Sequence, residues 1–414
     1  MNANALATAS SEDDTLSPFI GLAPLMRKAF SGVDIKPIGA QLIQRAEKYP
    51  NDAHALMDLS TVLQLTGNRD LAMTTQMEAL QLQQIYHVPA THQCNIRLLA
   101  LMAHGDLMAN TPLEFLVENS DIALDMMYVG EGIPAVDAVP DHDVLFVAIG
   151  ECDENRALLK GLEPIIQSWP RPVINKPEHI ARLGRDTAST FLQSTDKIVM
   201  PQSVRIDRHT VEKIGADELA VTSIIQDGDF PIILRPVGSH AGNGLRKIPS
   251  ADAIPDYLQA VPSDEFYMAR FVDYRSTDGM FRKYRIILIE GRPFICHMGI
   301  SSHWMIHYLN AGMTESAEKR AEEERCMITF DEDFAARHQE AFRILSERLG
   351  FDYIGIDCGE TQDGKLLIFE VDSDMIVHAM DPVDLFPYKQ PQMQKLFTAF
   401  REMLVKAITS NPVA

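Results

Sequence analysis

The chain has 414 residues, of which 46% are hydrophobic, so it can bury more than one core and we expect two to four structural units. Its formal net charge of -21 at pH 7 argues against general binding to nucleic acid or to an anionic membrane. Five cysteines without a CxxC pair, no recognisable secretion signal and no long apolar run predict a reduced, cytoplasmic protein without a membrane span.

The first ninety residues are predicted to be mostly helical. Residues 1–16 are small, polar and acidic, which is typical of a disordered tail. Apolar residues at helical spacing predict two helices between Ala53 and Gln84, and Gly67-Asn68 separates them. The spacing resembles one tetratricopeptide unit, so residues 17–90 are interpreted as a tetratricopeptide-like segment that could bind a protein partner. An ordinary helical hairpin that caps the next domain explains the same pattern equally well.

Residues 91–180 alternate between strand and helix patterns, which predicts a small doubly wound parallel sheet. Such sheets bind ligands in the loops that follow the strand ends. The loop after the first strand supplies Asp106 and Asn110 as candidate substrate-binding residues. We therefore expect a small α/β domain on the substrate side of a larger site.

A glycine-rich hairpin follows, with Arg235 at the end of its first strand. Glycines let backbone N–H groups approach phosphate oxygens closely, and an arginine beside them can neutralise phosphate charge. The candidate phosphate-binding loop consists of Gly238, Ser239, His240, Ala241, Gly242, Asn243 and Gly244. The next predicted strand leads into a linker that would offer backbone groups to an adenine ring, through Arg270, Phe271, Val272 and Asp273.

Further along, Arg285 lies inside an apolar strand, where an arginine rarely lacks an anionic partner. The loop after the following strand holds His303, Trp304 and His307, which we interpret as substrate-lining residues. Two histidines four residues apart would suit zinc if they were helical. No third ligand of suitable spacing follows, so the substrate interpretation is favoured.

An acidic hairpin near the C-terminus supplies the strongest signal. Asp363-Gly364 predicts a two-residue loop, and counting outward sets Asp357 across from Glu370, with Asp372 on the same face. Like charges paired across a sheet are destabilising unless a cation lies between them, and carboxylates are the usual ligands of Mg²⁺. A surface hairpin with solvated acids is the alternative, but the flanking apolar residues favour a central, buried hairpin.

The order of these segments resembles the ATP-grasp superfamily, closest to its RimK-type and glutathione-synthetase-like ligases, over residues 91–405. The resemblance implies a mixed α+β fold in which two subdomains, residues 181–275 and 276–410, clamp ATP and Mg²⁺. The family's metal pattern matches Asp357, Glu370 and Asp372, with aspartate in place of the usual asparagine. The extra negative charge favours a second Mg²⁺.

Other family positions are carried over in the same way. The family's phosphate loop matches residues 238–244, and Arg235 stands where a lysine is common. An earlier family lysine corresponds to Arg185 or Thr187. Arg285 fits the arginine that helps hold the acyl phosphate. Arginine keeps the positive charge of lysine and adds a bidentate fork, so phosphate binding is expected to survive these replacements.

The resemblance implies an ADP-forming ligase that joins a carboxylate to an amine through an acyl phosphate, on a small molecule or peptide. Two alternatives remain: a kinase on the same fold, and a non-catalytic scaffold whose N-terminal helices bind a protein. A homodimer is one option for the assembly.

Overall fold

The computed structural model describes residues 18–193, 195–239 and 242–410. The predicted tail, residues 1–16, lies outside them. None of the described helices is both long enough and apolar enough to cross a membrane. The described residues form a mixed α/β structure with three sheets, which confirms the predicted fold class.

Four helices open the described chain, and they match the predicted helical segment. The last two helices are separated at Gly67 and Asn68, as the sequence predicts, and α3 is buried along most of its length. The helices are α1 (Leu22–Phe30), α2 (Lys36–Lys48), α3 (Ala53–Leu65) and α4 (Arg69–Leu82).

Two buried carboxylates hold the start of α1. The backbone N–H groups of Ile20 and Gly21 donate to the Asp58 carboxylate, each at 2.9 Å. Those of Leu22 and Ala23 donate to Glu114 at 3.0 and 2.9 Å. Four consecutive backbone donors are satisfied in this way, which ties the helical segment to the domain that follows.

The small sheet has the strand order β1-β3-β2-β4-β5, and its last four strands in sequence are mutually parallel, as predicted. The edge strand β1 is antiparallel to β3 and was not predicted, because its four residues carry little periodicity of their own. The elements are β1 (Ile85–Val88), β2 (Ile96–Met102), α5 (Glu114–Val117), β3 (Ile122–Tyr128), β4 (Val144–Val147), α6 (Arg156–Gln167) and β5 (Val173–Ile174).

The second sheet is antiparallel, with the order β7-β10-β8-β9, and it carries the glycine-rich hairpin between β8 and β9. Short 3-10 turns occupy Val221–Ser223 and Ala251–Ala253. The elements of this region are α7 (Pro177–Ile180), α8 (Arg185–Leu192), β6 (Ile198–Val199), β7 (Ser203–Asp207), α9 (Arg208–Gly215), β8 (Ile232–Pro236), β9 (Arg246–Ile248), α10 (Ile254–Ala260) and β10 (Glu265–Arg270).

The third sheet contains the acidic hairpin and has the order β12-β11-β13-β14-β6. Strand β6 precedes the second sheet in sequence but pairs in parallel with β14, so the two sheets are also linked through the chain. The elements are β11 (Phe281–Ile289), β12 (Arg292–Ser301), a 3-10 turn at Tyr308–Asn310, α11 (Ala317–Ile328), α12 (Phe334–Arg337), α13 (Gln339–Leu349), β13 (Tyr353–Glu360), β14 (Leu366–Asp372) and α14 (Lys389–Ser410).

One hydrophobic core is shared by the small parallel sheet, the third sheet and α14. Its centre is a cluster of three rings from β4, β13 and α14: Phe146, Tyr353 and Phe400, with centroids 5.7 to 6.2 Å apart. Well-packed interiors resist deformation. The shared core therefore holds the carboxyl ends of β2 and β4 in a fixed position beside the acidic hairpin.

Candidate active site

The acidic hairpin has the predicted strand pairing but not the predicted turn. Thr361 and Lys365 close a three-residue loop, in which Gly364 has φ +80°, instead of the expected two-residue loop. A bulge at the level of Phe369 then shifts the register by one residue, so that Asp357 does lie opposite Glu370. The pairing is as predicted because the longer loop and the bulge compensate each other.

Four side chains form a line across the third sheet, which we call the charged row: His297, Arg285, Asp357 and Glu370. Arg285 is directly opposite Asp357 and donates to its two carboxylate oxygens, through Nε at 2.9 Å and Nη2 at 3.0 Å. Bidentate pairs of this kind are among the stronger polar contacts in proteins. The arginine that the sequence expected to have an anionic partner thus has one within the protein.

Lys283 is a second cation at Asp357, and the sequence reasoning missed it. Its Nζ lies 2.6 Å from Asp357 Oδ2, and the Asp357 side chain is only 2% exposed. Burial alone would raise the pKa of Asp357, but Arg285 and Lys283 hold it well below its ordinary value. The signal was present in the sequence, because Lys283 lies two residues before Arg285 and so points to the same face of β11.

Two further arginines flank the far end of the charged row. Arg185, at the start of α8, donates to the Glu370 carboxylate. Burial would raise the pKa of Glu370, but Arg185 and Arg235 lower it. Burial and the neighbouring Arg185 lower the pKa of Arg235 to about 10. The structure therefore brings Arg185, Arg235 and Glu370 together, although they are far apart in sequence.

Asp372 and Asp374 have no such basic partner among the ion pairs of the described residues. Burial and the neighbouring Glu370 raise the pKa of Asp372, and burial and Asp372 raise that of Asp374 well above its ordinary value. Asp374 is 5% exposed, and its carboxyl group lies directly over the α-carbon of Gly150, at the end of β4. Asp374 was also missed, although it continues the alternation of Glu370 and Asp372.

The carboxylates do not fit a metal ion in this arrangement. Their chemistry suits Mg²⁺, but both oxygens of Asp357 and one of Glu370 are bonded to basic side chains. In the part of the chain that the structure describes, no three or more His, Cys, Asp or Glu side chains are grouped so as to hold a metal. Metal binding by Asp357, Glu370 and Asp372 stays a prediction.

The glycine-rich loop lies at the end of β8, next to Arg235. Arg235 Nε donates to Ser239 Oγ at 3.1 Å, and Nη2 donates to the Ser239 carbonyl, so the arginine is tied to the loop itself. Gly242 and Gly244 have φ of +75° and +68°, which side chains rarely adopt. Gly238 also has a positive φ, of +71°. Asn243 belongs to the part of the chain that the structure describes, whereas His240 and Ala241 lie outside it.

A cluster of aromatic rings joins the predicted adenine linker to the loop after β12. The Trp304 ring packs edge-on against Phe271, with centroids 5.6 Å apart, and Lys247 Nζ lies 3.8 Å from the centre of the Phe271 ring. In the same loop, Met305 approaches Gly242, where an added Cβ would come within 3.2 Å of its sulfur. The two loops therefore cover each other at one edge of the site.

The other linker residues have separate contacts. Arg270 donates from Nε to Asp227 at 2.9 Å, and Val272 packs against the core of the third sheet. Asp273 accepts a hydrogen bond from the backbone of Arg275 at 3.1 Å. None of these contacts brings the three side chains to the charged row.

The two candidate histidines occupy different environments. His303 is exposed in a bend after β12, whereas His307 is half-buried and precedes the Tyr308–Asn310 turn. The ring of the adjacent Tyr308 packs on His297 of the charged row, with centroids 4.3 Å apart, which places His307 near that row. Burial, Lys283 and Arg285 lower the pKa of His307. Because the segment between them is not helical, the i, i+4 zinc geometry is not formed.

The structure does not bring Asp106 and Asn110 to the charged row. Asp106 accepts a hydrogen bond from Arg69 of α4 at 3.1 Å, so it contacts the N-terminal helices. The Asn110 amide is bonded to both backbone groups of Ala103, at 2.7 and 2.8 Å. The same loop nevertheless reaches the acidic segment, because the Thr111 hydroxyl donates to the Ser373 carbonyl at 2.9 Å.

Comparison with known proteins gives distant similarities. No family model matches the chain. The sequence is 21% identical over 221 residues to the tetrahydromethanopterin:alpha-L-glutamate ligase of Methanococcus maripaludis, and the match covers 52% of this chain and 64% of that relative. The match thus spans less than two thirds of the length of this curated relative.

One solved structure that matches the chain is D-alanyl-alanine synthetase A from Vibrio cholerae, at 14% sequence identity and a TM-score of 0.46. The match covers 77% of this chain and 99% of that one. A RimK domain ATP-grasp protein from Sphaerobacter thermophilus has 16% identity, 74% and 99% coverage, and a TM-score of 0.39. Within the described residues, the second sheet of this chain carries the glycine-rich hairpin and the third sheet carries the acidic hairpin. Membership of the ATP-grasp superfamily, which the sequence resembles, stays a prediction.

Proposed function

We propose that the protein is an ATP-dependent ligase that joins a carboxylate to an amine and forms ADP and phosphate. The observation that carries the proposal is a group of four cations, Arg185, Arg235, Lys283 and Arg285, around the carboxylates of Asp357 and Glu370 and beside a glycine-rich loop. An acidic protein that concentrates four cations at one place has a site for an anionic ligand there. The similarity to a curated ligase supports the same reaction class.

The nucleotide phosphates would lie between Arg235 and the glycine-rich loop. Backbone N–H groups at successive glycines form a concave site for anions, and the guanidinium group adds charge and paired donors. The Arg235 side chain already donates to Ser239, so it is oriented toward the loop before any ligand binds. Mg²⁺ is expected to arrive with these phosphates, as it does in other nucleotide sites.

The reaction proposed here needs no side-chain nucleophile. An oxygen of the substrate carboxylate attacks the γ-phosphorus of ATP, the bond to the bridging oxygen breaks, and ADP leaves. The amine then attacks the acyl carbon, phosphate leaves, and the nitrogen loses a proton. Arg285, a member of the charged row, would stabilise the negative charge that develops on the phosphoryl and acyl oxygens.

Water would destroy the acyl phosphate, so the site has to close during the reaction. The contact between Met305 and Gly242 joins the loop after β12 to the glycine-rich loop. These two loops are the segments that would exclude water over the nucleotide.

ADP release by purified protein tests the proposal. Mg·ATP is supplied with pooled carboxylic acids, amino acids and short peptides, with and without an amine. The ligase predicts ADP release that requires both an acid and an amine, and an amide product. Phosphate found on a substrate hydroxyl would instead indicate a kinase. If Mg·ATP does not raise the melting temperature at all, the protein has no nucleotide site and the scaffold alternative holds.

A further inference from the structure

Asp357 is fully neutralised by the protein's own side chains. Arg285 occupies both of its oxygens at 2.9 and 3.0 Å, and the Lys283 ammonium group lies 2.6 Å from Oδ2. A carboxylate as buried as this one requires a counterion, because an isolated charge away from water is very costly. The two cations supply more positive charge than Asp357 alone requires.

A divalent ion at Asp357 would meet strong repulsion from these cations. Like charges a few ångströms apart in a partly buried site repel each other far more than they do in water. A metal ion can therefore bind Asp357 only if at least one cation moves away. The disagreement between the predicted metal site and the observed contacts points to an exchange of partners.

Lys283 is the cation that is able to move. Arg285 is the direct cross-strand partner of Asp357 and also donates to the Ile376 carbonyl at 3.3 Å. Lys283 lies two residues before Arg285 in β11 and reaches Asp357 with a flexible, compact ammonium group, and its side chain is 21% exposed. It has no other ion pair among the described residues.

We propose that Lys283 is a resident counterion of Asp357 that yields its place to Mg²⁺ only when nucleotide phosphates are present to receive the lysine. This inference rests on the proposed nucleotide-dependent function. It makes metal binding conditional: the protein keeps a neutral, folded site without metal, and Mg²⁺ alone binds weakly. The phosphates supply the negative charge that both the metal and the displaced ammonium group need.

Titration of the full-length protein with MgCl₂ in the absence of nucleotide tests the idea by calorimetry. Lys283→Gln removes the competing charge and is expected to bind Mg²⁺ at least about tenfold more tightly than the wild type, a difference that calorimetry resolves easily. Lys283→Arg keeps the charge and is expected to bind as weakly as the wild type. Arg282→Gln is the matched control, because Arg282 pairs with Asp278 at 2.6 Å from the opposite face of β11.

Lys283→Met, which keeps an apolar stem, replaces the glutamine variant if that variant does not fold. Equal or weaker Mg²⁺ binding in the charge-removed variant, or no binding in either protein, would overturn the inference. These titrations do not depend on ADP release. A wild type that forms no ADP would therefore count against the proposed ligase, whereas only the metal affinities decide the role of Lys283.

Discussion

Glu114 allows a sharp test of how the N-terminal helices are attached. Its carboxylate is 6% exposed and accepts the backbone N–H groups of Leu22 and Ala23. Burial raises its pKa from 4.5 to about 7. The proposed change is Glu114→Gln, which keeps the size and one acceptor oxygen but cannot titrate.

The sign of the pH effect follows from this raised pKa. The folded protein holds a proton on Glu114 more tightly than the unfolded chain does, so the folded state gains stability as the pH falls. This gain is fully present below the unfolded pKa of 4.5 and is lost as the pH rises through about 7. A shift of this size corresponds to roughly 3 kcal/mol, of which about 2 kcal/mol appears between pH 8 and pH 5.5.

Hydrogen exchange of the amides from Ile20 to Ala23, corrected for intrinsic rates, provides the local measurement. In the wild type, Glu114 alone is expected to make the protection of these amides against exchange up to about 30-fold higher at pH 5.5 than at pH 8. Asp58 is expected to add to this difference. Burial also raises the Asp58 pKa, to about 6. In Glu114→Gln only the Asp58 contribution remains.

Glu118→Gln is the control for this experiment, because Glu118 carries a carboxylate close by that pairs with Arg27 near the surface. This variant should keep the pH dependence of the wild type. The reasoning is refuted if Glu114→Gln retains the whole effect, or if the wild type shows none.

Three predictions concern the candidate active site. Glu370→Gln should abolish ADP formation while the circular dichroism spectrum stays unchanged, and turnover at the wild-type rate would remove Glu370 from the mechanism. Arg235→Ala should weaken nucleotide binding about 10- to 100-fold, because a charge-assisted contact is lost, and a smaller Mg·ATP-dependent rise in melting temperature would show it. His307→Ala should raise KM, whereas the exposed His303 should tolerate alanine; equal effects in the two variants would contradict the placement of His307 near the charged row.

The parts of the fold that were predicted correctly are those with strong local patterns. The break at Gly67 and Asn68 and the parallel strands of the small sheet follow from periodicity along the chain alone. Strand β1 and the bulge near Phe369 depend on the strands they pair with, and four residues of sequence do not reveal such a partner. The misjudged hairpin loop had no effect on the pairing of Asp357 only because the bulge restored the register.

The residues of the candidate site fall into the same two groups, those that the local sequence reveals and those that it does not. Lys283 and Asp374 could have been found, since each lies two residues from a residue that the sequence had already singled out. The contact between Arg185 and Glu370 could not, because the two residues are 185 positions apart and meet only when the start of α8 comes beside β14. The partner of Asp106 was hidden for a related reason: loops come together at the strand ends, but the sequence does not reveal that Asp106 pairs with Arg69 of the N-terminal helices.

The carboxylates of the site are held rigidly, whereas its basic side chains can move, and this difference supports the exchange of Lys283 for Mg²⁺ at Asp357. The acidic hairpin lies between two packed cores, and the ring cluster of Phe146, Tyr353 and Phe400 fixes it to the small sheet. Its carboxylates therefore have little freedom to rearrange around an incoming ion. Lys283 and Arg185 are long side chains whose charged ends can change partner without any backbone movement. We expect ligand binding to reorganise the cations around a fixed set of carboxylates, with the two covering loops as the main backbone change.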